Sequence, residues 1–172
     1  MRCFIAIDID NELRDKIVDL QKRIYEDSLK LVEKENLHIT LKFLGEISED
    51  KSMDIARKLE NIEYSKFETE FFGLGIFPNF DYIRVVWVDV KGPLEDLVKK
   101  INSQLPEFPV ERFASHLTIA RVKQKPINLR QRIFENRGVV IGKQLVDKFS
   151  LRKSTLTPKG PIYEDVKVFE LA

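Results

Sequence analysis

The chain has a single cysteine, Cys3, which excludes an internal disulfide and a cysteine-based zinc site. It has no apolar run near the roughly 20 residues that a membrane-spanning helix needs. The apolar start of the chain, residues 1–10, is shorter than a signal peptide and already contains Asp8 and Asp10, so we predict a strand there. No Gly/Ser-rich or Pro-rich linker divides the chain. We therefore expect a single cytoplasmic, monomeric domain without a membrane segment, in which Cys3 is a small buried apolar residue.

Charge is distributed unevenly along the sequence. Hydrophobic residues make up 43% and charged residues 33% of the 172 residues, which is typical of a globular protein. Residues 111–172 hold 13 Lys or Arg against 6 Asp or Glu, so the rest of the chain is net acidic. A basic C-terminal region favours an anionic ligand such as phosphate, and a solvated charged surface explains it equally well. Lys, Glu and Arg are abundant and Met and Cys are scarce, a composition common in thermophilic proteins.

Hydrophobic periodicity predicts alternating strands and helices. The helix over residues 11–26 is the clearest, because Leu13, Ile17, Leu20 and Ile24 recur at helical spacing. Ser48 precedes a predicted second helix that ends near Glu60, and Pro93 opens a third. A short helix is predicted over 127–137. The predicted strands are 2–9, 37–44, 66–76, 82–90, 116–122, 145–157 and 162–171.

The two halves of the chain repeat this order. A strand and helix beginning at Phe4 correspond to a strand and helix beginning at Val85, and each half continues with a histidine-containing strand and another helix. We predict an α+β fold of two duplicated β-α-β lobes, roughly 1–80 and 81–172, within a single domain. Mostly antiparallel sheets would flank a central cleft, with helices outside. The pattern leaves open whether terminal strands are exchanged between the lobes.

The only two histidines lie in the same short pattern, His38-Ile39-Thr40 and His116-Leu117-Thr118. On a strand, residues two apart point to the same face, so each histidine shares a face with its threonine. Two such strands brought together by the duplication would present two imidazoles and two hydroxyls to one cleft. One neutral and one protonated imidazole supply the base and acid that displacement at phosphorus requires. The threonine hydroxyls would donate hydrogen bonds to the phosphate oxygens.

Alternative sites are less well supported by the sequence. A metal site needs further Cys, His, Asp or Glu ligands at close spacing, and none accompanies either histidine motif, so we expect neither metal nor cofactor. Gly73-x-Gly75 is too short for a phosphate-binding glycine loop. A non-catalytic RNA-binding module remains open, because residues 71–77 are aromatic and β-rich, although they lack the basic lead residue of such strands.

The chain resembles the two-histidine (2H) phosphoesterase superfamily, and within it the RNA 2′,3′-cyclic phosphodiesterases, also called 2′–5′ RNA ligases (the LigT family). The resemblance lies in residues 2–7, RCFIAI; 38–45, HITLKFLG; 116–121, HLTIAR; and the ending at 154–156 and 160–163. It implies a bilobal fold and metal-independent opening of a terminal ribose 2′,3′-cyclic phosphate to a 2′-phosphate. Reversible 2′–5′ joining of RNA ends is also implied. The partner would be RNA, for example tRNA fragments; another cyclic phosphate as substrate stays open.

The resemblance also suggests roles for single residues. By it, His38 would protonate the leaving 3′ oxygen and His116 would activate water. Arg121 matches a phosphate-binding arginine, but strict alternation places it on the face opposite His116 unless a bulge or the strand end re-aims it. Two aromatic residues, Phe4 and Tyr163, match positions that stack on a base, with core packing an equally good interpretation. Alternation alone places Lys42 on the His38 face, where it would line the cleft.

Overall fold

The computed structural model describes all residues 1–172. The chain forms nine strands, four α-helices and one short 3-10 helix. In order these are β1 (Arg2–Asp8), α1 (Asn11–Ile24), β2 (Leu29–Leu31), the 3-10 helix (Lys34–Asn36), β3 (His38–Glu46), α2 (Glu49–Leu59), β4 (Phe67–Asn79), β5 (Tyr82–Lys91), α3 (Leu94–Gln104), β6 (His116–Val122), α4 (Leu129–Asn136), β7 (Val140–Val146), β8 (Lys148–Thr157) and β9 (Gly160–Glu170). None of the helices is long and apolar enough to cross a membrane.

The strands form two antiparallel sheets. A four-stranded sheet has the order β3-β1-β8-β9, and a five-stranded sheet has the order β2-β6-β5-β4-β7. Each histidine strand is next to the first strand of its own half, β3 beside β1 and β6 beside β5. β4 pairs with β5, and β8 pairs with β1. The predicted α+β class with antiparallel sheets is confirmed.

Helices cover the outer face of each sheet. α1 and α4 pack against the five-stranded sheet, whereas α2 and α3 pack against the four-stranded sheet. The predicted stripe of α1 is fully buried in the core, and the side chain of Ser48 caps α2 by accepting a hydrogen bond from the Lys51 amide. α1 therefore follows β1 in the chain but covers the five-stranded sheet, which contains β5. In the same way α3 follows β5 but covers the four-stranded sheet, which contains β1. This arrangement leaves the inner faces of the two sheets free to form a cleft.

The sequence-based prediction was wrong in two places. The predicted stretch 145–157 is two strands, β7 and β8, which are separated only by Asp147. β7 is an edge strand with Val140 and Leu145 exposed, so it lacks the apolar alternation of a buried strand. The three-residue strand β2 was not predicted, because so short a segment carries no periodicity.

Candidate active site

A cavity of about 450 Å³ lies between the inner faces of the two sheets. Strands β3 and β6 both border it, so the two histidine motifs contribute to one site, together with the turn that precedes β9. Seven of the eight residues singled out from the sequence line this cavity: His38, Thr40, Lys42, His116, Thr118, Arg121 and Tyr163.

Both imidazoles are held by the same type of hydrogen bond to the backbone. His38 Nδ1 lies 2.7 Å from the carbonyl oxygen of Asn36, and His116 Nδ1 lies 2.6 Å from that of Ala114, in each case two residues earlier in the chain. Because a carbonyl oxygen can only accept, each Nδ1 carries a proton and donates it. Nε2 is therefore the nitrogen that gains or loses a proton in both rings. At His38 this nitrogen lies 2.9 Å from the Thr40 hydroxyl.

His38 occupies a more enclosed position among aromatic rings. The centroids of Phe4 and Tyr163 lie 5.1 and 5.2 Å from that of His38. Burial lowers the pKa of His38 to about 4, against the hydrogen bond to Asn36, which raises it. The nearby charges of Arg152 and Arg121 lower this pKa further. The free protein therefore holds His38 neutral at pH 7.

His116 is enclosed by a different aromatic pair. The ring centroid of Phe77 lies 5.2 Å from that of His116, and the centroid of Trp87 lies 6.1 Å from it. Both rings meet the imidazole edge-on. The indole of Trp87 lies flat over Gly75, where a Cβ atom would be 2.1 Å from the ring. The glycine at 75 thus has a packing role: it leaves room for the ring that borders His116.

Matching β-bulges interrupt the two histidine strands. In the β1–β3 ladder Ala6 pairs with Thr40 but Ile5 pairs with Lys42, so Leu41 is an extra residue. In the β5–β6 ladder Trp87 pairs with Thr118 but Val86 pairs with Ala120, so Ile119 is the extra residue. Each bulge reverses the alternation beyond the threonine. The residue five positions after each histidine therefore points into the cleft: Phe43 on β3 and Arg121 on β6.

The bulge in β6 brings Arg121 into the cavity, and the bulge in β3 takes Lys42 off the His38 face. The alternation-based orientation of Lys42 was therefore wrong, although its side chain still borders the cavity at one edge. There the Lys42 side chain is largely buried, and its Nζ donates hydrogen bonds to Asn102 Oδ1 at 2.6 Å and to the Pro109 carbonyl at 2.9 Å. Burial lowers the pKa of this ammonium group. Lys42 thus ties β3 to α3 and the loop that follows it.

Phe43 is one of the cavity residues that the sequence reasoning missed. Its side chain is 65% exposed and lies 6.5 Å, centroid to centroid, from Phe4. Phe4 itself is only 4% exposed and does not line the cavity, so it packs beneath His38 and offers no free face to a base. The equal spacing of Phe43 and Arg121 from their histidines is the sequence signal that could have identified this position.

A network of buried arginines and partly exposed carboxylates lies behind His38 in the four-stranded sheet. Asp8, the cross-strand neighbour of His38, forms an ion pair with Arg14 and lies 3.4 Å from Arg152. Arg152 also donates to Asp165 at 2.8 Å. These ion pairs provide Arg152 with carboxylate partners and fix its position near His38. Arg152 therefore affects His38 through its electrostatic field and not through a direct contact.

Sequence comparison places the protein among curated relatives. An Archaeoglobus fulgidus protein named RNA 2′,3′-cyclic phosphodiesterase is 40% identical over 99% of this chain and 100% of its own length. The chain belongs to the LigT-like phosphoesterase family. The family model for LigT-like phosphoesterases matches residues 7–87. Another family member with the same name, from Methanocaldococcus jannaschii, is 41% identical over 97% of this chain and 99% of its own.

Two solved structures share the fold of this chain. A crystal structure from Thermus thermophilus superposes with a TM-score of 0.84 at 28% identity, covering 99% of this chain and 97% of that one. The Escherichia coli LigT complexed with 3′-AMP superposes with a TM-score of 0.83 at 24% identity, covering 99% and 98% of the two chains. The second likeness shows the fold alone.

Proposed function

We propose that this LigT-like phosphoesterase hydrolyses the 2′,3′-cyclic phosphate at the 3′ end of an RNA strand and leaves a 2′-phosphate. The observation that carries this proposal is the pairing of two identically oriented imidazoles, each with its threonine, on facing strands of one cavity. Cyclic phosphate hydrolysis needs a base, an acid and donors to the phosphate oxygens, and this arrangement supplies all three. The names of the full-length relatives support RNA as the substrate class.

The reaction is a displacement at phosphorus. His116 Nε2 takes a proton from water as the water oxygen forms its bond to phosphorus. The bond from phosphorus to the 3′ oxygen breaks, and His38 Nε2 gives its proton to that oxygen. The product keeps the phosphate on the 2′ oxygen, and proton exchange with solvent restores both imidazoles. The 5′ hydroxyl of a second RNA in place of water, acting on the same phosphorus, gives the 2′–5′ ligation by the same steps.

The pKa of His38 bears on which imidazole is the acid. A value of about 4 in the free protein suits a base, whereas the family resemblance implies an acid at His38. A bound phosphate diester places a negative charge beside Nε2 and neutralises Arg121, and both effects raise the pKa of His38. We keep the acid at His38 because the bound substrate offsets one influence that lowers this pKa, the charge of Arg121, and adds one that raises it, the charge of the phosphate.

Arg121 and the two threonines form the proposed phosphate site. The Arg121 guanidinium and the hydroxyls of Thr40 and Thr118 line the same cavity as the imidazoles. A guanidinium offers paired donors to two phosphate oxygens, and the hydroxyls donate to the charge that develops in the transition state. Phe43 and Tyr163, which line the cavity on the four-stranded sheet side, are the proposed contacts for the terminal base.

The decisive experiment is incubation with an RNA ending in a 2′,3′-cyclic phosphate, with and without EDTA, followed by identification of the terminal phosphate. We expect a 2′-phosphate product at equal rates in both reactions. An RNA that binds but stays cyclic would favour a non-catalytic RNA-binding module instead. A 3′-phosphate product would contradict the proposed bond cleavage. Matched reactions with a cyclic mononucleotide and a cyclic sugar phosphate establish the preferred substrate class.

A further inference from the structure

An aromatic and basic surface surrounds the tip of the β4–β5 hairpin, outside the catalytic cavity. It consists of three aromatic residues and three arginines: Phe80, Tyr82, Phe134, Arg84, Arg130 and Arg137. We call this the hairpin-tip surface. Tyr82 pairs with Asn79 at the last rung of the hairpin, two residues beyond Phe77, which lines the cavity. Two residues along a strand span about 7 Å, so the surface begins where the cleft ends.

The rings and guanidinium groups of this surface form two sets of contacts, one around Phe80 and Phe134 and one between Tyr82 and Arg84. Phe80 of the turn and Phe134 of α4 lie 5.1 Å apart at an interplanar angle of 18°. Arg130 lies 5.8 Å from the first ring and 6.0 Å from the second, and Arg137 lies 5.6 Å from Phe134. Arg84, the extra residue of a bulge in β5, lies 5.5 Å from the ring of Tyr82.

Packing of the hairpin against α4 does not account for this surface. The three aromatic residues stay well exposed to solvent: 38% for Phe80, 41% for Phe134 and 61% for Tyr82. Part of each ring is therefore free to contact a ligand. The only ion pair that any of the three arginines forms is between Arg130 and Asp81, at 3.8 Å, and the Asp81 side chain is 95% exposed. The surface therefore presents exposed ring faces and an excess of positive charge together.

We infer that the hairpin-tip surface binds the single-stranded RNA upstream of the reacting phosphate, an inference that rests on the proposed function. Unpaired bases stack on aromatic rings and guanidinium planes, and arginines neutralise the phosphates between them. The terminal nucleotide occupies the cleft, so only nucleotides on its 5′ side can reach the hairpin tip. The surface thus extends substrate recognition from one nucleotide to a short strand.

The test compares a mononucleotide with an oligonucleotide. We would measure kcat/KM for adenosine 2′,3′-cyclic phosphate and for a hexanucleotide ending in a 2′,3′-cyclic phosphate, in the wild type and in the double variant Arg130→Ala/Arg137→Ala. We expect a roughly tenfold loss for the hexanucleotide and an unchanged value for the mononucleotide. Tyr82→Ala should give a smaller loss of the same kind. Arg57→Ala is the matched control, because Arg57 is an exposed arginine on α2, which packs on the other sheet.

A binding measurement separates this inference from the proposed function. The affinity of a fluorescent hexanucleotide ending in a 2′-phosphate should fall about tenfold in the double variant and stay unchanged in Arg57→Ala. If the wild type hydrolyses neither cyclic substrate but this difference in affinity persists, the proposed function is wrong and RNA binding by the hairpin-tip surface is still supported. If the mononucleotide is hydrolysed but the hexanucleotide binds and reacts equally well in all variants, the surface is refuted. Equal losses on both substrates would also refute it.

Discussion

Leu41 and Ile119 are equivalent residues: each is the extra residue of a β-bulge one position after the threonine of a histidine motif. The two histidine strands therefore share a backbone irregularity as well as the sequence motif. Because both bulges turn the residue five positions after the histidine into the cleft, the two sides of the site can differ there. The five-stranded sheet contributes the guanidinium of Arg121 at this position, and the four-stranded sheet contributes the ring of Phe43.

The position of Arg121 leads to a prediction about phosphate binding. Arg121→Ala should lower kcat/KM for a cyclic phosphate by about tenfold to a hundredfold, because a hydrogen bond to a charged group is worth about 1.5–3 kcal/mol. Arg121→Lys should recover part of the loss, since the charge remains but the paired donors do not. Steady-state kinetics would show both effects. Lys123→Ala, an exposed cation just beyond the same strand, is the control, and an unchanged Arg121→Ala enzyme would contradict the phosphate role.

The two histidines should be separable by the leaving group. His38→Ala and His116→Ala are each expected to lower kcat by about 10²- to 10⁴-fold on the natural substrate, as acid–base groups do. A cyclic substrate with sulfur in place of the 3′ oxygen needs no protonation of its leaving group. That substrate should restore the rate of His38→Ala and not that of His116→Ala.

Single-turnover kinetics on both substrates would measure this difference. Thermal unfolding of each variant controls for loss of the fold. Rescue of His116→Ala alone would exchange the two roles, and full activity of either variant on the natural substrate would contradict the acid–base pair.

The sequence predicted most of the fold because its strands and helices carry strong periodicity and occur twice. The stripe of α1 and the repeated order of elements predicted two halves, and the prediction of an α+β architecture followed from them. The sequence could not predict local irregularities of the strands, because a β-bulge has no periodic signal. Strict alternation therefore placed Lys42 on the His38 face and overlooked Phe43. Arg121 showed the same conflict, but there the resemblance indicated that a bulge was needed.

Long-range packing was the second limit. The burial of Phe4 beneath His38 depends on Tyr163 of β9, which is far away in the chain, and no local pattern reports it. The same holds for Arg152, whose charge acts on His38 from a neighbouring part of the four-stranded sheet. Such contacts form only when the sheets assemble, so a sequence pattern identifies the reacting groups more readily than their environment.

The lowered pKa of His38 predicts a pH dependence of stability. The unfolded chain binds a proton at His38 near pH 6.5, whereas the folded chain binds it only near pH 4, so stability falls as the pH drops from about 6.5 to about 4. At about 1.4 kcal/mol per pKa unit the effect amounts to a few kcal/mol. In His38→Gln the free energy of unfolding, from urea denaturation between about pH 4 and pH 7, should depend less on pH. Parallel curves for the two proteins would refute the lowered pKa.

The contact between Gly75 and Trp87 predicts that a single methyl group will disturb His116. Gly75→Ala would place Cβ 2.1 Å from the indole, and because the clash is with a rigid ring in a strand ladder, the ring has to move. Overpacking of this kind costs about 1–3 kcal/mol, so the melting temperature should fall by several degrees. Trp87 borders His116, so kcat should fall with it. Gly138→Ala is the matched control, because no atom lies within 4 Å of a Cβ there.

A second variant, Gly75→Ala/Trp87→Phe, tests whether the indole is the cause of these losses. The smaller ring should recover stability and kcat together. Recovery of neither would show that Trp87 is not what Gly75 accommodates.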